Sequence, residues 1–143
     1  MSLKTFVVDA SVATKWLVNE TGSDDAIKLL DDWRSGECDL AAPELLRLEV
    51  ANALITYSQR GFLPEEKCLE GIQHLEELPL RYIKEDWALI KDVSALASKL
   101  GIAVFDAVYI TAASNSGATM ITADHILFKK TRNKAAIVLL GEE

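Results

Sequence analysis

The sequence predicts an α/β fold in which a mainly parallel sheet of four or five strands lies between helices. Short apolar or β-branched runs alternate with stretches of helical periodicity along all 143 residues. The stretches between successive runs are long enough for the helical crossovers that parallel strands require. No internal repeat, low-complexity tract or linker interrupts the pattern. We therefore expect residues 1–143 to form a single domain.

The first half of the chain predicts two strands and three helices. The opening run "KTFVVD" is apolar and β-branched, as strands are. Ser23 is the expected N-cap of the second helix, and Gly36 its stop. Pro43 and Gly61 bound a long third helix. The predicted ranges are 4–9 (strand), 11–20 and 23–36 (helices), 38–43 (strand) and 43–61 (helix).

The second half continues the alternation. The helix over 85–101 is predicted from apolar residues that recur every three or four positions. The segment "IAVFDAVYITAASNSG" reads as a brief extended run that passes into a helix, and "ATMITAD" as a clear strand. The predicted ranges are 63–78 (helix), 80–84 (strand), 85–101 (helix), 102–117 (extended, then helical), 118–124 and 136–140 (strands).

Composition and charge limit the classes of protein to which this chain can belong. With 50% hydrophobic and 26% charged residues, no membrane-length apolar stretch and no signal-peptide pattern, we expect a cytoplasmic protein that makes no membrane contact. Cys38 and Cys68 have no partners at ligand spacing, so we expect buried free thiols. A formal net charge of -7 argues against a protein that coats nucleic acid generally, because the affinity of such proteins comes mainly from Lys and Arg. It does not exclude a nuclease, because carboxylates that bind metal ions are acidic by design.

One local basic stretch, "KKTRNK", lies near the C-terminus. It is either a solvated helix end or a site for RNA backbone phosphates, and the sequence favours neither. Its charged residues are Lys129, Lys130, Arg132 and Lys134.

Three aspartates, Asp9, Asp106 and Asp124, each follow an apolar run and precede a helical pattern. Each could simply cap a helix. Ser, Thr or Asn would serve as caps without mutual repulsion, however, and parallel α/β sheets bind ligands beyond the carboxyl ends of their strands. Three Asp residues at strand ends therefore favour a shared site.

Glu49 shares an apolar helical stripe with Leu45, Leu46, Asn52 and Ala53, so it should face inward. A buried carboxylate needs a cation, either an arginine or a metal ion. The arginine candidates are Arg47 and Arg60.

If the four acids converge, they form a strongly anionic pocket that needs divalent cations, and an all-oxygen donor set suits one or two Mg²⁺ or Mn²⁺ ions. Ser11, Asn52 and Thr122 stand beside the acids and could orient them or contact substrate, whereas Thr14 fits better as a helix-surface hydroxyl. His125 could be a ligand but fits better as a surface residue. Carboxylate-held Mg²⁺ activates water for phosphodiester hydrolysis. No Gly-rich phosphate loop or Ser-His-Asp order competes with this interpretation.

Four segments together resemble the PIN-domain family, particularly the VapC-type toxin ribonucleases of toxin-antitoxin pairs. All four acids occur in order, with Asn52 three residues after Glu49 and Thr122 two residues before Asp124. Phe105 departs from the family pattern, since many relatives carry Tyr before this Asp. The segments are "FVVDASVATKWLVNE", "LAAPELLRLEVANALITYSQRGFL", "GIAVFDAVYITAASNSGATMITAD" and "ADHILF".

The resemblance implies a PIN-like three-layer α/β/α sandwich and Mg²⁺- or Mn²⁺-dependent endonucleolytic cleavage of RNA. It also implies a homodimer and a cognate antitoxin that inserts into the active-site groove. Asp9, Glu49, Asp106 and Asp124 would be both the catalytic and the metal-binding set. The alternative is a catalytically silent PIN-like module that binds RNA or a protein, which the four intact acids disfavour. A phosphatase of the DxD type is excluded because "DAS" lacks the second Asp.

Overall fold

The structure, a computed structural model, describes residues 3–143 and contains one sheet of five parallel strands within that range. The strand order is β3-β2-β1-β4-β5, so the first strand lies in the centre. This confirms the predicted parallel sheet. The strands are β1 Thr5–Val8, β2 Asp39–Pro43, β3 Arg81–Ile83, β4 Thr119–Thr122 and β5 Ile137–Leu139.

Seven helices within the described range cover the sheet. The strand order places α1–α4 on one face and α5–α7 on the other, because crossovers between parallel strands are right-handed. The contacts agree, since α1 packs on α2 and α3, and α5 packs on α6. The α/β/α sandwich is therefore confirmed. The helices are α1 Ala10–Leu17, α2 Ser23–Arg34, α3 Leu45–Gln59, α4 Glu65–Glu77, α5 Trp87–Leu100, α6 Val104–Asn115 and α7 His125–Thr131.

Successive strands are added first on one side of β1 and then on the other. From β1 the chain moves outward to β2 and β3, and it then returns to place β4 and β5 on the other side. Val7 and Val8 of β1 are fully buried, and Val7 lies between Ala41 of β2 and Met120 of β4. The carboxyl ends of β1 and β4 thus flank a crevice of the kind in which open α/β sheets bind ligands.

Several predicted boundaries were wrong in instructive ways. Pro43 ends β2, and α3 begins only at Leu45. The N-cap of α2 is Gly22, and Ser23 is the first helical residue. Residues 102–105 contain no strand, because α6 begins at Val104. A helix after Asp124 was predicted without bounds, and the structure gives it as α7.

Two further expectations concern the thiols and the membrane. Cys38 and Cys68 are free and buried, as predicted. Among the described residues, no single helix has both the length and the apolar composition to span a membrane; α5 and α6 satisfy the criterion only as a pair, bent by 114°.

Candidate active site

Asp9 lies at the centre of the crevice, where β1 ends and α1 begins. It is the N-cap of α1 and is only 7% exposed. Its Oδ1 accepts hydrogen bonds from Ser11 Oγ at 2.5 Å and from the Val12 N–H at 3.2 Å, and its Oδ2 accepts one from Thr122 Oγ1 at 2.5 Å. Asp9 therefore caps a helix and also presents a carboxylate at the central strand end.

Ser11 and Thr122 form a polar clamp that joins the ends of β1 and β4 around Asp9. Besides donating to Asp9, Ser11 Oγ accepts from the Ala123 N–H at 2.9 Å, and Thr122 Oγ1 accepts from the Asp124 N–H at 3.0 Å. Burial raises the pKa of Asp9 to about 6, although these hydrogen bonds oppose the rise. The negative charge of Asp124 makes a smaller contribution to the same rise in pKa. Thr122 Oγ1, which contacts both Asp9 Oδ2 and the Asp124 N–H, joins the two strand ends directly.

Asp124 is exposed and caps α7, accepting from the Leu127 N–H at 3.0 Å. It follows β4 closely, as predicted. His125 is the first residue of α7 and is also exposed. The structure thus places Asp124 beside Asp9 and leaves His125 on the surface.

Asp106 lies at the same edge of the sheet but on a helix that does not directly follow a strand. It lies in the first turn of α6 and is partly buried, so the prediction that it follows a strand was wrong. Burial raises its pKa; the charge of Asp124 raises the pKa further, and the ammonium group of Lys130 lowers it. Asp106 therefore neighbours both Asp124 and Lys130.

Glu49 lies partly buried on α3 and has a partner that the sequence did not suggest. The hydroxyl of Tyr109 donates a hydrogen bond to Glu49 Oε1. Arg47 instead pairs with Glu44 at 3.4 Å, and in the part of the chain that the structure describes Glu49 forms no ion pair with Arg47 or Arg60. Burial raises the pKa of Glu49, the Tyr109 hydrogen bond opposes this, and the charge of Asp106 adds to it.

Tyr109 is the residue at the site that sequence reasoning missed. It is 2% exposed and follows Asp106 by one helical turn, so both residues lie on one side of α6. A phenol in the apolar run "AVYITAA" was the available signal, because a buried hydroxyl needs a hydrogen-bond partner.

Asn52 and Glu49 line a cleft of about 330 Å³ beside these acids. Asn52 is exposed, and Ala10 places the cleft next to Asp9. Leu48 and Phe105, which are 73% and 60% exposed, form its apolar rim. The cleft is therefore open to a macromolecule.

The four acids form a series of electrostatic neighbours, Asp9 with Asp124, Asp124 with Asp106, and Asp106 with Glu49. Among residues 3–143, no three His, Cys, Asp or Glu side chains converge closely enough to hold a metal ion as they stand. The donor chemistry fits Mg²⁺ or Mn²⁺, because all four donors are carboxylates whose mutual repulsion a divalent cation would relieve. Asp124 is exposed and can change rotamer toward such an ion.

The basic stretch divides between α7 and the turn that follows it. Lys129 and Lys130 lie in the last turn of α7, and all four basic residues, Arg132 and Lys134 included, are exposed. Lys130 Nζ donates to the Gly101 carbonyl at 3.4 Å and is close enough to Asp106 to lower its pKa. At least Lys130 therefore borders the acids.

Both the sequence and the fold of this chain are similar to those of known proteins. A family model described as "PIN domain" matches residues 6–134. The chain belongs to the PIN-domain family. It is a homologue of Ribonuclease VapC3 from Pyrobaculum aerophilum, with 32% identity over 125 residues, which cover 87% of this chain and 92% of that protein.

Solved structures share the PIN fold with this chain. PAE2754 from Pyrobaculum aerophilum superposes with a TM-score of 0.71 at 21% identity, covering 99% of this chain and 93% of that one. VapC20 from Mycobacterium tuberculosis, described as a Sarcin-Ricin loop cleaving toxin, gives 0.68 at 11% identity with coverage of 91% and 95%. A toxin-antitoxin complex from Klebsiella pneumoniae gives 0.61 at 12% identity with coverage of 92% and 94%.

Proposed function

We propose that this protein is a metal-dependent endoribonuclease and the toxin of a toxin-antitoxin pair. The observation that carries the proposal is the carboxylate of Asp9, held at the central strand end with three further acids as successive neighbours. The homology to Ribonuclease VapC3 supports RNA as the substrate. We also propose that residues 1–143 are a single PIN domain that acts in the cytoplasm.

Asp9, Glu49, Asp106 and Asp124 would hold one or two Mg²⁺ or Mn²⁺ ions, which when bound supply an activated water and stabilise the leaving oxygen of the phosphodiester. The chain's own contribution is to fix the carboxylates. Ser11 and Thr122 hold both oxygens of Asp9, and Tyr109 holds one oxygen of Glu49. Asn52, exposed beside Glu49, would contact the RNA.

An antitoxin is the second proposed partner, supported by the similarity to a toxin-antitoxin complex. The cleft offers acids next to the exposed side chains of Leu48 and Phe105. This surface suits a segment that combines an arginine, which can pair with a carboxylate through two hydrogen bonds, with apolar residues. The homodimer that the family implies is likewise a proposal.

One observation favours the alternative, a catalytically silent module that binds RNA or a protein. Within the described residues the acids surround the crevice without a metal-ready group of three. Such a module would bind RNA with or without a divalent cation and would leave it intact.

Cleavage of RNA in Mg²⁺ or Mn²⁺, with and without EDTA, separates the two functions. We expect EDTA to stop cleavage, and Glu49→Gln or Asp106→Asn to slow it by more than about a hundredfold, because each removes a donor from the acid set. Asp92→Asn, at an exposed acid on α5, is the matched control and should cleave normally. Binding without cleavage in either metal would establish the silent module instead.

The basic stretch is expected to hold the RNA backbone. In a cleavage-deficient Asp9→Asn background, changing both Lys129 and Lys130 to Ala should weaken the binding of different RNAs by the same factor. The log-log slope of affinity against salt should become shallower by about 0.7 for each lost contact with a single strand. The control changes Lys28 and Lys67, exposed lysines on α2 and α4, to Ala. Equal slopes for both double variants would identify the stretch as a solvated helix end.

A further inference from the structure

A second cleft, of about 310 Å³, shares Ala10 with the cleft at Glu49. Its wall includes Ser11, which binds Asp9, and Ala123, which precedes Asp124. The cleft therefore borders residues that lie next to Asp9 and Asp124. Its remaining polar lining comes from Thr14, Lys15, Glu20 and Tyr57, none of which the proposed chemistry uses.

Lys15 is a fixed residue in this cleft and differs from the free lysines of the surface. Its side chain is 15% exposed, and Nζ donates to Glu20 Oε1 at 3.1 Å and to the Thr21 carbonyl at 2.8 Å. The backbone at Gly22 packs against it: φ is +89°, and a Cβ there would lie 3.2 Å from Lys15 Cε. An ammonium group has three N–H donors, so one remains for a ligand.

Tyr57 completes the arrangement from α3. Its hydroxyl donates to Glu20 Oε2, so both oxygens of Glu20 are occupied and the phenol oxygen keeps its capacity to accept. Thr14 is 4% exposed, and its hydroxyl has no hydrogen-bond partner among the described residues. The cleft therefore presents a donor from Lys15 and an acceptor from Tyr57 on either side of one neutralised carboxylate.

We propose that this cleft receives the base of an RNA nucleotide next to the scissile phosphate and thereby selects the cleavage site. The inference rests on the proposed ribonuclease function. The volume is at the lower end for ligand pockets, and an uncharged base edge offers the adjacent donors and acceptors that the cleft can pair. The Lys15–Glu20 pair cancels its own charge, so the cleft suits a neutral base, whereas the basic stretch suits phosphates.

The test measures which base flanks the cut. An RNA pool randomised around the cleavage site is digested by wild type, by Lys15→Met/Glu20→Gln and by Tyr57→Phe. The first variant removes the ion pair without leaving one charge unpaired. We expect the ratio of cleavage rates between the most and least favoured base to fall about tenfold at one flanking position. Lys28→Met/Asp32→Asn, which removes an exposed ion pair on α2 outside the cleft, should leave the ratio unchanged.

The ratio compares sites cut by the same enzyme molecules, so it does not depend on the folded fraction. If the Lys15→Met/Glu20→Gln protein fails to fold, the Tyr57→Phe protein supplies the result. Unchanged ratios in folded variants would overturn the inference while leaving the ribonuclease function intact. If wild type cuts no RNA, the ribonuclease function fails, and a binding experiment then decides the inference. It measures the affinity of the Asp9→Asn protein for short poly-A, poly-C, poly-G and poly-U RNAs. A base-dependent affinity that Lys15→Met/Glu20→Gln abolishes supports the inference, and equal affinities overturn it.

Discussion

Asp9→Asn is expected to abolish RNA cleavage and, in a chelator at neutral pH, to stabilise the folded protein. Burial holds the pKa of Asp9 at about 6, against an ordinary value of 3.8, so the folded state disfavours the charged carboxylate. Below about pH 3.8 both states carry the proton and the penalty is absent. Between the two pKa values the unfolded chain ionises first, and the free energy of unfolding falls as pH rises. Above about pH 6 the full penalty applies, at most about 3 kcal/mol.

Urea denaturation in EDTA at intervals from pH 4 to pH 8 measures this penalty. The free energies of unfolding of wild type and Asp9→Asn should agree near pH 4, and the variant should exceed wild type by about 1–3 kcal/mol at pH 7.5. Asparagine caps a helix as well as aspartate does. Its amide group can donate to the hydroxyl that loses an acceptor oxygen, because a hydroxyl has two lone pairs, so the main change is the loss of the charge. A variant that is less stable at pH 7.5 and still cleaves RNA would show that Asp9 serves only as a cap.

Thr122→Val is expected to produce the second large effect, a loss of about 2–4 kcal/mol in the free energy of unfolding at pH 7.5. Valine preserves the volume of this fully buried side chain but removes its hydroxyl. The change leaves Asp9 Oδ2 and the Asp124 N–H without the partners that now lie at 2.5 Å and 3.0 Å. Buried groups left unpaired cost about 1–3 kcal/mol each, and more when charged.

Thr131→Val is the matched control for this experiment. Thr131 is also fully buried, but its hydroxyl donates only to the Leu127 carbonyl within α7, at 2.8 Å. That carbonyl keeps a second lone pair for the helix, so we expect a loss of about 1 kcal/mol. In the Asp9→Asn background the cost of Thr122→Val should shrink, because no charge is then left unpaired. Equal losses at the two threonines in wild type would refute the special role of the clamp.

The positions of Asp9 and Asp124 after strands were predicted correctly, because both strands have a strong apolar pattern. Asp106 shows where such reasoning fails: the run "IAVF" has the composition of a strand, but α5 ends at Gly101 and α6 begins almost at once. Local pattern cannot reveal that the sheet has no place for a strand there.

The partner of Glu49 could not be predicted from its neighbours. Arg47 was a candidate because it is near in sequence, but residues two apart on a helix do not face each other. The hydroxyl that binds Glu49 belongs to Tyr109, 60 positions away. The two side chains meet because the fold brings α3 and α6, which lie on opposite faces of the sheet, within reach of each other at the site. Glu20 was missed for a related reason: the predicted helix continued to residue 20, whereas α1 ends at Leu17 and a turn brings Glu20 back to Lys15.

The clamp on Asp9 has a consequence for the order in which the site is completed during synthesis. Asp9 and Thr122, which share a hydrogen bond, are separated by 113 positions, and β1 pairs with β4 only after the intervening strands and helices exist. Pairing over such a distance is slow to form, and chains emerge from the ribosome N-terminus first. A nascent chain therefore carries Asp9 and Glu49 well before it carries Asp124. Until residue 124 has been synthesised, the proposed acid set stays incomplete, and so does the clamp that holds Asp9.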